Sequence, residues 1–325
     1  MLFNKTNNGT QELKELLGFL YSSTNFANIK TDLILAHEDI QKIIGKGVMD
    51  VAVHRYNSEL FLSGDDPLRD ELVKHIQLPI AYYAHASFSA HTDLTHGEDG
   101  RKVSIDNENQ KLAWEWMIER DDEATINKAH KTTDRLLNFL ETNSKSFPHW
   151  AYSPERKAAN SLFLPNANSV NEIFPIDNSR RFFILIIPFI KEAERKYILP
   201  VLKKDVFDDL KAKGSDSPYA SLLPFIQVPL VFFSISLAIS RLSITMLPNG
   251  IFQDFSSIKP TTKSKHVIDF DIRKSISSIF YKDARFELDS LEKEYAKLSA
   301  EILSTPYTPV SPAAYINPRS KIFSL

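Results

Sequence analysis

Apolar residues recur along this chain at steps of three and four, the spacing that gathers them on one side of an α-helix. Leu33, Ile40, Ile44, Val48 and Val51 form the first such stripe, with His37 filling the gap. A turn is predicted at Ser63-Gly64-Asp65-Asp66-Pro67. There Asp66 suits a helix cap, and Pro67 suits the first helical turn, where its missing N–H has no partner to lose. The helix that follows is predicted to run to about Leu94, with Pro79 inside it. It is more apolar than its predecessor and is expected in the middle of a bundle. Two long helices close the pattern. One carries Ile126, Ala129, Thr133, Leu136 and Leu140, the other Leu288, Leu291, Tyr295, Leu298 and Ile302, each stripe opposite a charged face.

The pattern occurs twice. Without a gap, Gly64, Asp66, Leu72, Ile76, Gln77, Pro79, Thr95 and Gly100 match Gly214, Asp216, Leu222, Ile226, Gln227, Pro229, Thr245 and Gly250, always 150 residues on. Tyr82-Tyr83 faces Phe232-Phe233 at the same spacing. Upstream, LILAHEDIQKIIGKGVMDVAV aligns loosely with PFIKEAERKYILPVLKKDVFDDL, and downstream each copy passes through an extended polar stretch into its long helix. In the first copy that stretch is GRKVSIDNENQKLAW, read as a short hairpin turning at Asp106-Asn107-Glu108-Asn109. The expected fold is therefore mainly α: two tandem helical-bundle units, each with a short extended or β-hairpin excursion. Residues 1–142 and 177–303 are the units. Residues 143–176, rich in Pro and Asn, read as a linker in which helix is disfavoured. Residues 304–325, with Pro306, Pro309, Pro312 and Pro318, read as an extended C-terminal arm. The arm is expected to reach a neighbouring subunit.

Composition narrows the chemistry. Of 325 residues 43% are hydrophobic and 25% charged, enough apolar material for a sizeable core. Formal net charge is −2, so no overall basic excess points to nucleic acid. The chain has no cysteine, which rules out disulfides, thiolate catalysis and Cys-ligated zinc. MLFNKTNNGTQELKELL lacks the layout of a signal peptide, and synthesis in the cytosol is expected. Ser217 to Ser240 carries no charge and is long enough to span a bilayer, but Pro224, Gln227, Pro229 and several Ser interrupt it. It reads as a buried central helix.

Few residues invite a reaction mechanism. His85, His91, Asp93 and His96 combine imidazole and carboxylate and are the best metal candidate. They lack the i, i+4 pair that sets two ligands on one helical turn, and Ile235, Arg241 and Met246 stand at the His positions in the second copy. Polar residues at a helix end is the favoured reading. Asp65-Asp66 suggests a metal-binding carboxylate pair, but capping accounts for it. Gly45-Lys46-Gly47 lacks the rest of a dinucleotide or phosphate motif and is expected to bend or end the first helix. Trp114-Glu115-Trp116-Met117-Ile118-Glu119-Arg120-Asp121-Asp122 is the densest aromatic and acidic cluster. Core at the start of the long helix is the favoured reading, a partner interface the other. No catalytic, cofactor-binding or metal residues are expected, and no cofactor.

LFNKTNNGTQELKELLGFL, HIQLPIAYYA, GRKVSIDNENQKLAWEWMIERDD and PFIKEAERKYILPVL together resemble an uncharacterised protein family encoded among virion structural genes of phages infecting Bacteroidetes. The layout of two helices, an extended excursion and a further helix also resembles head–tail connector (adaptor) proteins of tailed phages, although those carry one unit. The resemblance implies a neck or adaptor ring subunit that is not an enzyme. Its partners would be itself in a cyclic ring, the portal protein, and tail or other neck proteins. No membrane is implied, and nucleic acid would at most pass through the ring. It implies a place in the virion, assembled in the host bacterial cytoplasm. A tail terminator or another virion part is the alternative, followed by a metal-dependent enzyme using the His85/His91/Asp93/His96 set.

Overall fold

The computed structural model describes residues 1–18, 25–92, 95–97, 100–102, 114–242, 244–247, 250–253 and 270–304. The fold is mainly α. Helices α1 (Gly9–Leu17), α2 (Phe26–Ile44), α3 (Lys46–Asn57), α4 (Pro67–Thr92) and α5 (Glu115–Thr142) build the first half. Short helices α6 (Pro148–Ala151), α7 (Pro154–Asn160) and α8 (Ala167–Asn171) lead on. Then come α9 (Arg180–Ala193), α10 (Leu199–Lys213), α11 (Leu223–Arg241) and α12 (Phe270–Ser304), with a π-helical turn at Glu194–Ile198. Strand β1 (Thr95–Gly97) pairs antiparallel with β2 (Gly100–Lys102), and β3 (Ile244–Leu247) with β4 (Gly250–Gln253). The turn read at Asp106–Asn109 lies outside the described residues. Val103 and Ile105, read as strand, fall outside the described residues.

Each half wraps a central helix. In the first, α4 packs against α2, α3 and α5, burying Leu72, Val73, Ile76, Ile80 and Ala84. In the second, α11 packs against α9 and α12 and buries Ile226, Leu230, Val231, Phe233, Ile235 and Ala238. By length and composition Ala220–Arg241 would cross a membrane, yet more than half of its apolar window is packed inside this core. Pro79 and Pro229 lie inside α4 and α11. Asp66 caps α4 as its position predicts, accepting the Arg69 N–H at 3.1 Å.

The helix before each centre is broken where the backbone enters positive φ. Gly45 ends α2 at φ +83°, ψ 151°, a conformation open to glycine because it has no Cβ. In α10 the break falls at Lys203, with φ +60°, ψ 161°. That region is essentially reserved for glycine, so Lys203 is strained.

A strap crosses each central helix. Leu2-Phe3 is buried in the first core and Leu162-Phe163 in the second. Gln77 Nε2 donates to the Leu2 carbonyl at 2.6 Å, and Gln227 Nε2 to the Phe163 carbonyl at 3.0 Å. The two glutamines are one of the 150-residue pairs. Residues 143–176 are not helix-free. Pro148 and Pro154 open α6 and α7 at the N-terminal turn, where proline costs no hydrogen bond, and Ser153 caps α7. The stretch also places Trp150 in the first core and Leu164 and Val170 in the second.

The halves are joined by more than the chain. Asp134 of α5 accepts from Ser179 Oγ at 2.9 Å and from the Arg181 N–H at 2.7 Å, which sets a carboxylate on the positive N-terminus of α9. Glu141 holds Trp150 Nε1 at 3.1 Å and Arg156 at 3.2 Å. Ile184 of α9 packs onto the first core.

Two outcomes test this account. Gln77→Ala or Gln227→Ala leaves a strap carbonyl unpaired and is expected to cost about 1–3 kcal/mol in denaturant unfolding. Lys203→Gly relieves the strained φ and is expected to raise stability by about 1–2 kcal/mol by the same measurement.

Candidate functional site

The residues singled out for metal chemistry do not form a described centre. His85 lies on α4 and is buried. Burial pushes its imidazole below the ordinary value, against the pull of Asp121 and Asp122 on α5. The side chains of His91 and His96, and Asp93 altogether, lie outside the described residues. Among the described residues no group of three His, Asp or Glu is placed to hold a metal ion.

The acidic turn before α4 is a clasp. Arg55, at the C-terminal end of α3, is buried and donates Nε–H to Asp70 Oδ1 at 2.6 Å. Its other nitrogens reach Asp65 at 2.6 and 3.2 Å and the Leu60 carbonyl at 2.8 Å. Asp70 also accepts the Leu62 N–H at 3.2 Å. One guanidinium thus ties together α3, the 58–66 loop and α4. The Arg55 bonds hold the carboxyls of Asp65 and Asp70 well below the usual carboxylate range. Asp65, offered as half of a metal-binding pair, is thereby committed to Arg55, and Asp66 to its cap.

The second half has its own buried pair. Glu194, in the π-helical turn, takes Lys211 Nζ at 2.7 and 2.8 Å and the Phe163 N–H at 2.7 Å. Lys211 also donates to the Ser161 carbonyl and lies 4.0 Å from the centre of the Phe163 ring. Desolvation pushes the Glu194 carboxyl up and the Lys211 ammonium down, while their mutual attraction opposes both shifts. Both charges are spent on anchoring the second strap. Sequence reading missed these two networks, because Arg55 and Asp70, or Glu194 and Lys211, stand in no recognisable motif.

What the fold leaves available is apolar surface. Trp114 and Trp116, at the start of α5, are 70% and 49% exposed, and Met117 and Ile118 are exposed beside them. This corrects the core reading of the cluster. The stripe of α5 that turns inward starts later, at Thr125 and Ala129. On α12, Ile272, Ile279 and Phe286 are 53%, 55% and 71% exposed. Steps of seven are close to two helical turns, so the three form one row. It faces away from the side that buries Ala284, Leu288 and Leu291.

Residues 40–160 match the model of a family of unknown function (DUF6712). The matched stretch runs from the end of α2 through α7 and contains the Arg55 clasp, α4, the first hairpin and the exposed tryptophans. No curated protein and no solved structure matches the chain.

The histidines carry a pH consequence. Burial pushes His37, His75, His85 and His130 below 6.5, and all four belong to the first half. A depressed folded-state pKa means the unfolded chain binds the proton more readily. Stability is therefore full above the unfolded value of 6.5 and falls as pH drops through the depressed values. The melting temperature is expected to fall between about pH 7 and pH 5, before ordinary carboxylates titrate, and the loss is expected to shrink in His85→Gln.

Proposed function

We propose that this chain is a structural virion protein, a head–tail connector subunit that forms a ring in the neck of a tailed bacteriophage between portal and tail. The observation that carries the reading is the pair of unlike apolar faces on the two halves. One is the Trp114, Trp116, Met117 and Ile118 patch, the other the Ile272, Ile279 and Phe286 row. A cyclic ring needs heterologous contacts, in which one face of a subunit meets a different face of the next. A two-fold dimer would need only one self-complementary face.

The resemblance to a family encoded among phage structural genes supports the virion setting. The hydrogen bonds of Asp134 and Glu141 between the first half and the segments that follow it also suit a part that must keep its shape under load. The ring partners would be copies of this chain, with portal and tail or other neck proteins above and below.

Native mass spectrometry and electron microscopy of the purified protein test this reading. Closed rings of a single stoichiometry are expected. The double variant Ile279→Asp, Phe286→Asp is expected to stay folded, since surface changes of this kind move stability by only about 0.5 kcal/mol, and to run as a monomer. Trp116→Asp is expected to weaken assembly as well. A wild-type protein that remains monomeric at high concentration, alone and with portal protein, would sink the proposal.

A further inference from the structure

A cleft of about 390 Å³ opens among α5, α6, α7, α9 and the turn that starts α8. Its floor is apolar. Leu137 of α5 and Phe183 of α9 are buried there, and Ile184 and Ile187 of α9 lie half-buried beside them. Trp150 forms part of the wall and is fixed in place, because its Nε1–H donates to Glu141 at 3.1 Å. Small-molecule sites have this character: about 300–1,000 Å³, mostly apolar, with a few placed polar groups.

The polar groups of the cleft are unequally satisfied. Glu141 accepts from both Trp150 and Arg156, and Arg156 also donates to the Ala151 carbonyl at 3.3 Å. That carboxylate and that guanidinium are spent on each other and on the wall. Arg180 differs. It lines the cleft half-buried at the first position of α9, and its guanidinium makes no hydrogen bond or ion pair with a described residue. Asp134, the carboxylate that meets the start of α9, bonds instead to Ser179 and the Arg181 N–H. A cation partly withdrawn from water has lost hydration that an anion beside it would replace. Asn160 and Asn168 stand exposed at the rim, and their side-chain amides also have no partner among the described residues. The cleft thus combines one uncompensated positive charge, amide donors and an apolar floor.

We infer that this cleft binds a small organic carboxylate with an aromatic or branched apolar body. Arg180 takes the carboxylate, in the two-pronged geometry that a guanidinium and a carboxylate share. Asn160 and Asn168 are the donors at hand for its remaining lone pairs, and the body covers Leu137, Phe183 and Ile187. Both parts of the ligand are needed. A wholly polar anion such as inorganic phosphate would answer Arg180 but leave the floor in water. A neutral apolar molecule would cover the floor but leave Arg180 without its counter-charge. The site draws on none of the residues outside the described structure, the C-terminal arm at 305–325 included. It stands independently of the ring proposal.

Trp150 reports on the cleft directly. The chain has 3 tryptophans, and the double variant Trp114→Phe, Trp116→Phe leaves Trp150 alone. Both replaced residues are exposed, so the fold is expected to stand. Titrating this protein with phenylpropionate or with isocaproate is expected to give a saturable change in Trp150 emission and a rise in melting temperature. Phenylpropionamide, the same body without the charge, is expected to bind about tenfold more weakly than the acid, and inorganic phosphate likewise. Adding Arg180→Gln is expected to weaken the acid about tenfold and leave the amide unchanged, a split that loss of fold would not produce. No saturable change with either acid, equal affinity for acid and amide, or an Arg180→Gln variant that binds the acid undiminished would each overturn the inference.

Discussion

Both halves depend on covering a central helix, and in the second half that helix is apolar on nearly every side. Residues 217–240 carry no charge at all. Such a helix is stable in water only when neighbours enclose it, and two flanking helices leave a gap. In each half the gap is crossed by a strap whose Leu-Phe pair is buried and whose carbonyl is met by a glutamine from the central helix. The glutamine satisfies a backbone oxygen that would otherwise be buried without a partner. This constraint explains why residues 143–176 fold. A free linker there would leave α11 uncovered.

The remaining charges are used to hold geometry. Arg55 bridges two helices and the loop between them, and Lys211 and Glu194 fasten the second strap beside a π-helical turn. Asp134 and Glu141 carry the first half into the second. Breaking such pairs is costly because it strands a desolvated partner, so they restrict relative movement more than they add net stability. Apolar patches at different places are what an assembly subunit needs, and the proposed connector reading rests on them.

Much of the fold was legible in the sequence for short-range reasons. Helical stripes follow from the 3.6-residue turn, Asp66-Pro67 follows from the unpaired N–H groups at a helix start, and the Gly45 break follows from the freedom of glycine at positive φ. The 150-residue spacing marked Gln77 and Gln227 as equivalent before their partners were visible. The paired strands Thr95–Gly97 and Gly100–Lys102 precede the stretch read as a hairpin, whose turn at Asp106–Asn109 lies outside the described residues. The prolines of 143–176 were read as helix breakers, whereas Pro148 and Pro154 start helices.

By itself, then, the sequence determined that the chain is helical, where its stripes and caps lie, and which residues recur at one spacing, since each of these depends on neighbours a few positions away. Only the tertiary structure decided which faces are covered. Trp114 and Trp116 look like core by composition, yet they precede the turn at which α5 meets α4 and so face out. Arg55 with Asp70, Glu194 with Lys211, and the glutamines with their strap carbonyls are chosen across 15 to 75 residues of chain. No local pattern encodes such choices, because a buried polar group takes whichever partner the packing of the helices brings within reach.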